Sequence, residues 1–109
     1  MKTDSIFRVD KFAVPAQARD AFMTRLRNTH KALGTADGCV QNLVLEQVSG
    51  TGEFNVVTIV EWRDSAAYEN ARQAAQQRQK DSGFDPQSYF RELDIRADLG
   101  NYTLMLEQA

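Results

Sequence analysis

The sequence has little of what metal centres, disulfides and membrane spans are built from. Its 109 residues include one cysteine, Cys39, and one histidine, His30. A single cysteine cannot close a disulfide within the chain, and one cysteine with one histidine cannot supply a structural zinc site. No apolar run approaches the roughly 20 residues that span a bilayer, and residues 1–5 lack the apolar stretch of a secretory signal. We therefore expect a cytoplasmic protein without a metal and without a membrane partner.

An excess of positive charge is also lacking. Thirteen Lys and Arg residues stand against 15 Asp and Glu residues, which gives a formal net charge of −2. The basic residues are interspersed with acidic ones, whereas a nucleic-acid interface needs a clustered basic face. Repeats, low-complexity tracts and Pro/Gly/Ser-rich linkers are missing as well. We expect one domain over residues 1–109 and no nucleic-acid partner.

The hydrophobic pattern alternates between the periods of strands and helices. Pro15 suits the first turn of a helix, Asp64 or Ser65 can cap a second one, and Asp85 with Pro86 opens a short third one. Gly34 is expected to end the first helix. The predicted strands cover residues 5–12, 40–48, 54–62 and 100–107, and the predicted helices cover 15–33, 65–80 and a short segment from 86.

The resulting order is β-α-β-β-α-β with a helical insertion before the last strand, which is the ferredoxin-like α+β arrangement with a four-stranded antiparallel sheet. In this arrangement both main helices cover the same face of the sheet. The strands are nevertheless apolar on both faces: Val44 alternates with Leu43 and Leu45, and Val60 alternates with Ile59. A second copy of the chain is the simplest cover for the other face, so we expect a homodimer that forms a dimeric α+β barrel.

Several segments together resemble the antibiotic-biosynthesis monooxygenase family over essentially the whole chain. They are the strand FRVDKF at 7–12, the helix end Thr29-His30, the turn Asp37-Gly38 and, most specifically, VEWRDSAAY at 60–68. The resemblance implies a cofactor-independent oxidation of a quinol, anthrone or related aromatic compound by dioxygen. The pocket would lie between the sheet and the helices of each protomer. An ionised phenol can itself reduce dioxygen, so the protein needs to supply an apolar pocket, a proton acceptor and hydrogen-bond donors.

The resemblance implies site roles for Trp62 and Tyr68, which match the family's Trp and Tyr spacing. Independently, His30 is the natural general base, because its unperturbed pKa lies nearest neutrality. The alternative for each of the three is plain packing without chemistry. On these grounds we expect His30, Trp62 and Tyr68 to be catalytic.

Four further residues are candidates for binding a small aromatic substrate. Phe22 and Leu26 lie on the apolar stripe of the first helix. Asn42 and Thr58 are polar residues on apolar strands, so each either lines a wet pocket or bonds to a neighbouring group. Arg8 and Asp10 share one face of the first strand and are interpreted as a structural ion pair.

Some residues depart from the pattern of active family members, and this bears on other possible functions. Thr58 stands where some active family members carry Asn, and the family's late Arg has no clear match. A non-catalytic ligand-binding or regulatory dimer is therefore the main alternative. Haem-degrading members use an Asn on the first strand and a Trp and a His in the second helix. The first strand of this chain carries Arg8 and Asp10 instead, and its second helix contains neither Trp nor His. An RNA-binding domain of the same topology is disfavoured, because the aromatic ribonucleoprotein pattern is missing.

Overall fold

The computed structural model describes residues 4–106. Its helices and strands follow one another as β1 (Ile6–Ala13), α1 (Arg19–Leu33), β2 (Cys39–Glu46), β3 (Val56–Trp62), α2 (Ser65–Ser82), α3 (Pro86–Glu92) and β4 (Arg96–Tyr102). The strands form one sheet in the order β2-β3-β1-β4, and all neighbouring strands are antiparallel. The ferredoxin-like α+β prediction is confirmed. None of the helices described is long and apolar enough to cross a membrane.

The helix boundaries follow the capping residues, with one correction at the start of the first helix. Asp64 accepts a hydrogen bond from the Ala67 amide, and Asp85 accepts one from the Gln87 amide, as expected for N-caps. The first helix begins at Arg19 rather than at residue 15, because a short 3₁₀ turn over Ala16–Ala18 precedes it. Gly34 ends that helix as predicted, and it does so with a right-handed φ of −61°.

The hairpin of β2 and β3 has shorter strands and a longer connection than the sequence pattern predicts. Strand β2 ends at Glu46 and β3 starts at Val56, so the connection is longer than the predicted loop at 49–52. A bulge between Cys39 and Gln41 also displaces Val40, which is 56% exposed. Val44 packs towards the core, whereas Leu43 and Leu45 lie on the opposite face and stay exposed.

The last strand was predicted too late in the chain. We expected it at residues 100–107, but it runs from Arg96 to Tyr102, and residue 107 lies outside the described part. Pairing with β1 decides the register: Ala13 pairs with Arg96 and Phe7 pairs with Tyr102. The apolar alternation continues past Tyr102 with Leu104 and Leu106, which are exposed.

The core lies between one face of the sheet and the helices. Phe12, Phe22 and Phe90 form an aromatic cluster with ring centroids 4.9 to 6.3 Å apart. A second buried group joins Val60, Trp62 and Ala67 where α2 crosses β3. The two groups leave a gap between them, and the candidate site occupies that gap.

Candidate functional site

A cavity of about 360 Å³ lies between the helix-facing side of the sheet and the three helices. That volume is within the range of sites that hold small organic ligands. Its apolar walls are formed by Phe12, Phe22, Leu26, Leu33, Val60, Trp62, Ala71, Ala75 and Phe90. The lining of the cavity is therefore mainly apolar.

Six of the seven predicted site residues line this cavity. They are Phe22, Leu26, His30, Thr58, Trp62 and Tyr68. Asn42 is not part of the lining, and its side chain contacts His30 and Cys39 instead. Its neighbour across the sheet is Val60, so it lies one strand away from the cavity centre. Asn42 orients a cavity residue rather than facing the cavity itself.

His30 is held with one ring nitrogen against Asn42. The Nδ1 atom lies 3.3 Å from the Asn42 Oδ1, so the Nδ1–H tautomer donates to the amide oxygen. In that tautomer Nε2 keeps its lone pair and can accept a proton. Burial lowers the pKa of the imidazole, while the Asn42 hydrogen bond and the Asp10 charge raise it to a smaller extent. Burial therefore favours the neutral form of the ring, which is the form that can accept a proton.

Arg8 and Asp10 form the predicted ion pair, and the pair lies inside the cavity. The Arg8 Nε donates to Asp10 Oδ1 over 2.6 Å, and both side chains line the cavity. Burial raises the pKa of Asp10, and the charge and hydrogen bond of Arg8 offset part of that rise. From the sequence the pair is interpreted as structural only. Its position on the same face of β1 as the buried Phe12 is the sequence feature that indicates a place in the cavity.

The Tyr68 hydroxyl oxygen accepts two hydrogen bonds. Arg8 Nη1 donates over 3.1 Å and Asn101 Nδ2 donates over 3.2 Å. Because a phenolic oxygen has two lone pairs, both acceptor positions are occupied and the hydroxyl hydrogen is left for another acceptor. Asn101 belongs to β4, whose register the sequence pattern misplaced. The Tyr68 hydroxyl, which lines the cavity, is therefore free to donate to a further acceptor.

Two more polar groups in the cavity wall have no side-chain partner in residues 4–106. The Trp62 indole N–H and the Thr58 hydroxyl make no side-chain hydrogen bond there, although both residues are buried. Both polar atoms remain partly accessible, because residues 4–106 hold no fully buried side-chain nitrogen or oxygen without a hydrogen-bond partner. Both groups are therefore available to a ligand.

The small residues of α2 determine the width of the cavity. Ala71 and Ala75 line it, Ala67 is packed against Val60 and Trp62, and Ala74 faces solvent. A larger side chain at position 71 or 75 would extend into the open volume. The alanines of α2 therefore serve two purposes: Ala67 allows close packing against β3, and Ala71 and Ala75 leave open volume.

The described residues contain no group of three or more His, Cys, Asp or Glu side chains that could hold a metal ion. The cavity holds one acidic side chain, Asp10, which already binds Arg8. The chemistry available from these side chains is proton transfer by His30 and hydrogen-bond donation by Tyr68, Trp62 and Thr58.

Comparison with models of protein families assigns this chain to a family. The model described as "Antibiotic biosynthesis monooxygenase" matches residues 5–79, which is more than half of the chain. The chain belongs to the antibiotic biosynthesis monooxygenase family. The matched region contains His30, Trp62 and Tyr68, and the family resemblance inferred from the sequence is confirmed. No match was found among curated proteins.

Solved structures of other proteins share the fold of this family member. SnoaB, a cofactor-independent oxygenase from Streptomyces nogalater, is 24% identical with a TM-score of 0.69, over 96% of this chain and 97% of its own. MhuD, a heme-degrader from Mycobacterium tuberculosis, is 18% identical with a TM-score of 0.69, over 95% of this chain and 99% of its own. Such likenesses establish the architecture, and they leave the reaction to be argued from the cavity.

Proposed function

We propose that this protein is a cofactor-independent monooxygenase that oxidises a quinol or anthrone-type aromatic substrate with dioxygen. The observation that carries the proposal is the placement of one neutral histidine in an apolar cavity, facing the same space as the Tyr68 and Trp62 donors. Family membership and the likeness to SnoaB support an oxygenase over other uses of this fold.

The proposed reaction starts with proton transfer to His30. Its Nε2 takes the proton of the substrate hydroxyl, and the resulting anion is electron-rich enough to reduce dioxygen by itself. A carbon–oxygen bond forms, which gives a hydroperoxide on the substrate ring. His30 returns its proton to the peroxide, and loss of water then leaves a carbonyl group. An anthrone loses the two hydrogens of its keto-form CH₂, a quinol loses one C–H and one O–H hydrogen, and in both cases one oxygen atom is gained and the other leaves as water. The substrate supplies all the electrons, so no further reductant is needed.

The other cavity residues stabilise charge and exclude water. The Tyr68 hydroxyl and the Trp62 indole N–H donate hydrogen bonds to the oxygens that become negative during the reaction. Phe22 and Leu26 contact the flat faces of the ring system, and Thr58 provides one further polar contact. Asn42 holds the His30 tautomer that leaves Nε2 basic.

Oxygen uptake with a panel of quinols and anthrones tests this proposal. We expect the wild-type rate to exceed the enzyme-free rate, and the double variant His30→Ala, Trp62→Phe to lose at least about 100-fold, since general acid–base catalysis alone contributes roughly that much. Lys31→Ala, an exposed neighbour on α1, is the matched control and should retain wild-type activity. A double variant as fast as wild type would show that these residues do not carry out the reaction.

A non-catalytic ligand-binding role is the second candidate, and Thr58 favours it. Some active members of the family carry Asn at this position, and Thr offers a shorter hydrogen-bonding group. Under this alternative, quinols would raise the melting temperature of the protein without any oxygen uptake above the enzyme-free rate.

We also infer that a second copy of the chain covers the outer face of the sheet. That face carries Phe7, Val9, Leu43, Leu45, Val57 and Ile59, with Leu43 42% and Leu45 46% exposed. Two such faces packed about a two-fold axis would bury this apolar surface and form a barrel of two sheets. The catalytic cavity lies on the other side of the same sheet. Residues 1–109 would then be one domain of a homodimer.

A further inference from the structure

One cation at the cavity wall has no acidic partner. Four groups in the lining can carry positive charge: Arg8, Arg25, Arg72 and His30. Arg8 is bonded to Asp10, and Arg72 is bonded to Glu69. Burial lowers the pKa of His30, which disfavours its charged form. Within residues 4–106, Arg25 makes no ion pair and no side-chain hydrogen bond.

The Arg25 guanidinium is nevertheless held in place by aromatic rings. Its Cζ lies 3.4 Å from the centroid of the Phe84 ring and 5.0 Å from that of Tyr89. The two rings contact each other, with centroids 5.5 Å apart, and both line the cavity. A guanidinium stacked on a ring keeps its N–H groups at the edge of its plane, where they can bind a carboxylate with two parallel hydrogen bonds.

We propose that Arg25 binds a carboxylate carried by the aromatic ligand, so that the cavity selects acidic aromatic compounds over neutral ones of the same shape. The ring system would occupy the apolar part of the cavity, with its acidic group at Arg25. The proposal rests on the cavity being the ligand site of the proposed function. It adds a specificity-determining residue and a substrate class, and it does not depend on turnover.

The arrangement also explains the aromatic segment after α2. Gly83 ends that helix with a φ of 74°, and the chain then turns so that Phe84 and Tyr89 meet Arg25 of α1. Because stacking restricts the guanidinium before a ligand arrives, less side-chain entropy is lost on binding. The other polar lining residues on α2 towards this end of the helix, Gln76 and Gln79, are uncharged, so they add no further positive charge to the cavity.

The test compares two redox-inert probes of equal shape: anthraquinone-2-carboxylate and its neutral primary amide. Binding is followed by quenching of Trp62, which is the one tryptophan of the sequence and lines the cavity. We expect wild-type protein to bind the carboxylate about 10-fold or more tightly than the amide, in line with the strength of charge-assisted hydrogen bonds. Arg25→Gln should abolish that preference and change amide binding by less than about threefold.

Two further variants make the result specific. Arg27→Gln removes an exposed arginine of the same helix that does not line the cavity, and it should keep the full preference. Arg25→Lys keeps the positive charge but loses the two parallel N–H donors of the guanidinium, so it should keep part of the preference for the carboxylate over the amide. Arg25→Lys also reports on the site if loss of the stacked cation in Arg25→Gln disturbs folding.

The outcomes separate this inference from the proposed function. Equal binding of both probes to wild type, or a preference that survives in Arg25→Gln, overturns the carboxylate site and leaves the oxygenase proposal standing. If neither probe quenches Trp62 at concentrations up to solubility, the cavity does not accept planar aromatic compounds, and both proposals fail.

Discussion

At the scale of single residues, the protonation of His30 depends on the charge of Asp10. The Asp10 carboxylate raises the imidazole pKa, against the stronger lowering by burial. Asp10→Asn removes this contribution and leaves the Arg8 cation without its partner nearby, so the His30 pKa should fall further. If neutral His30 is the base, the acid limb of kcat/KM, which lies below the usual histidine value of about 6.5, should move to lower pH.

Two measurements check this shift. The pH dependence of kcat/KM gives the acid limb, and NMR titration gives the imidazole pKa directly, because the chain has one histidine. Asp20→Asn changes an exposed carboxylate of the same helix as His30 and should leave both values unchanged. An acid limb that moves to higher pH in Asp10→Asn would contradict the assignment of His30 as the base.

The residue types of the site were more predictable than its hydrogen bonds. His30, Trp62 and Tyr68 were predicted from chemistry and resemblance, and all three line one cavity, although their roles stay a prediction. The support of Tyr68 by Arg8 and Asn101 was not predicted, because it joins β1, α2 and β4, and the register of β4 was misplaced. Contacts between residues distant in sequence depend on that register, which alternation alone does not define.

At the scale of elements, the small side chains on the inner face of α2 keep the cavity open. Ala71→Leu should fill part of the 360 Å³ and weaken binding of a planar probe at least about 10-fold, while the fold is retained. Ala74→Leu places the same side chain on the exposed face of the helix and should leave binding unchanged. Trp62 quenching by anthraquinone-2-carboxylate measures both. Unchanged binding in Ala71→Leu would show that the ligand lies elsewhere.

The turn before β2 positions α2 through Gly38. Its φ is +85°, and a Cβ atom built there would lie 2.4 Å from the Cβ of Ala67. Gly83 also has a positive φ, of 74°, but a Cβ there would meet no atom within 4 Å. Gly83→Ala should therefore cost only backbone strain, about 1–2 kcal/mol of unfolding free energy. Gly38→Ala should cost about 1–3 kcal/mol more because of overpacking.

Urea denaturation of the two glycine variants provides the comparison, with the midpoint and slope taken for each. Equal losses in Gly38→Ala and Gly83→Ala would mean that the turn moves away from Ala67 without cost. The Arg63 amide also donates to the Gly38 carbonyl over 2.8 Å, so such movement would disturb the end of β3 as well.

Element types were predictable because local signals are strong, whereas element ends depend on pairing. The caps Asp64 and Asp85 act within one turn of the chain, and both were found from the sequence. The end of β2 and the start of β4 are determined by which residues find a partner on β3 and β1. The exposed alternation past Tyr102 resembles a strand in the sequence although no partner strand lies beside it in residues 4–106.

At the scale of the whole molecule, the outer face of the sheet decides the oligomeric state. Ile59 lies at its centre, between Val9 on β1 and Leu43 on β2. Ile59→Lys places a charge where two copies would meet, and a lysine can reach solvent in a single chain. We expect wild-type protein to have twice the mass of one chain at micromolar concentration, and Ile59→Lys to have the mass of a single chain with its circular dichroism spectrum retained.

The matched control places the same residue outside that face. Val48 is 96% exposed in the connection between β2 and β3, so Val48→Lys should remain dimeric. Light scattering coupled to gel filtration gives the masses. A wild-type monomer would mean that the apolar outer face is covered by something other than a second copy. Because β1 and β3 carry Arg8, Thr58 and Trp62 on the reverse side of this face, a monomeric Ile59→Lys that still binds the anthraquinone probe would show that each cavity is complete within one chain.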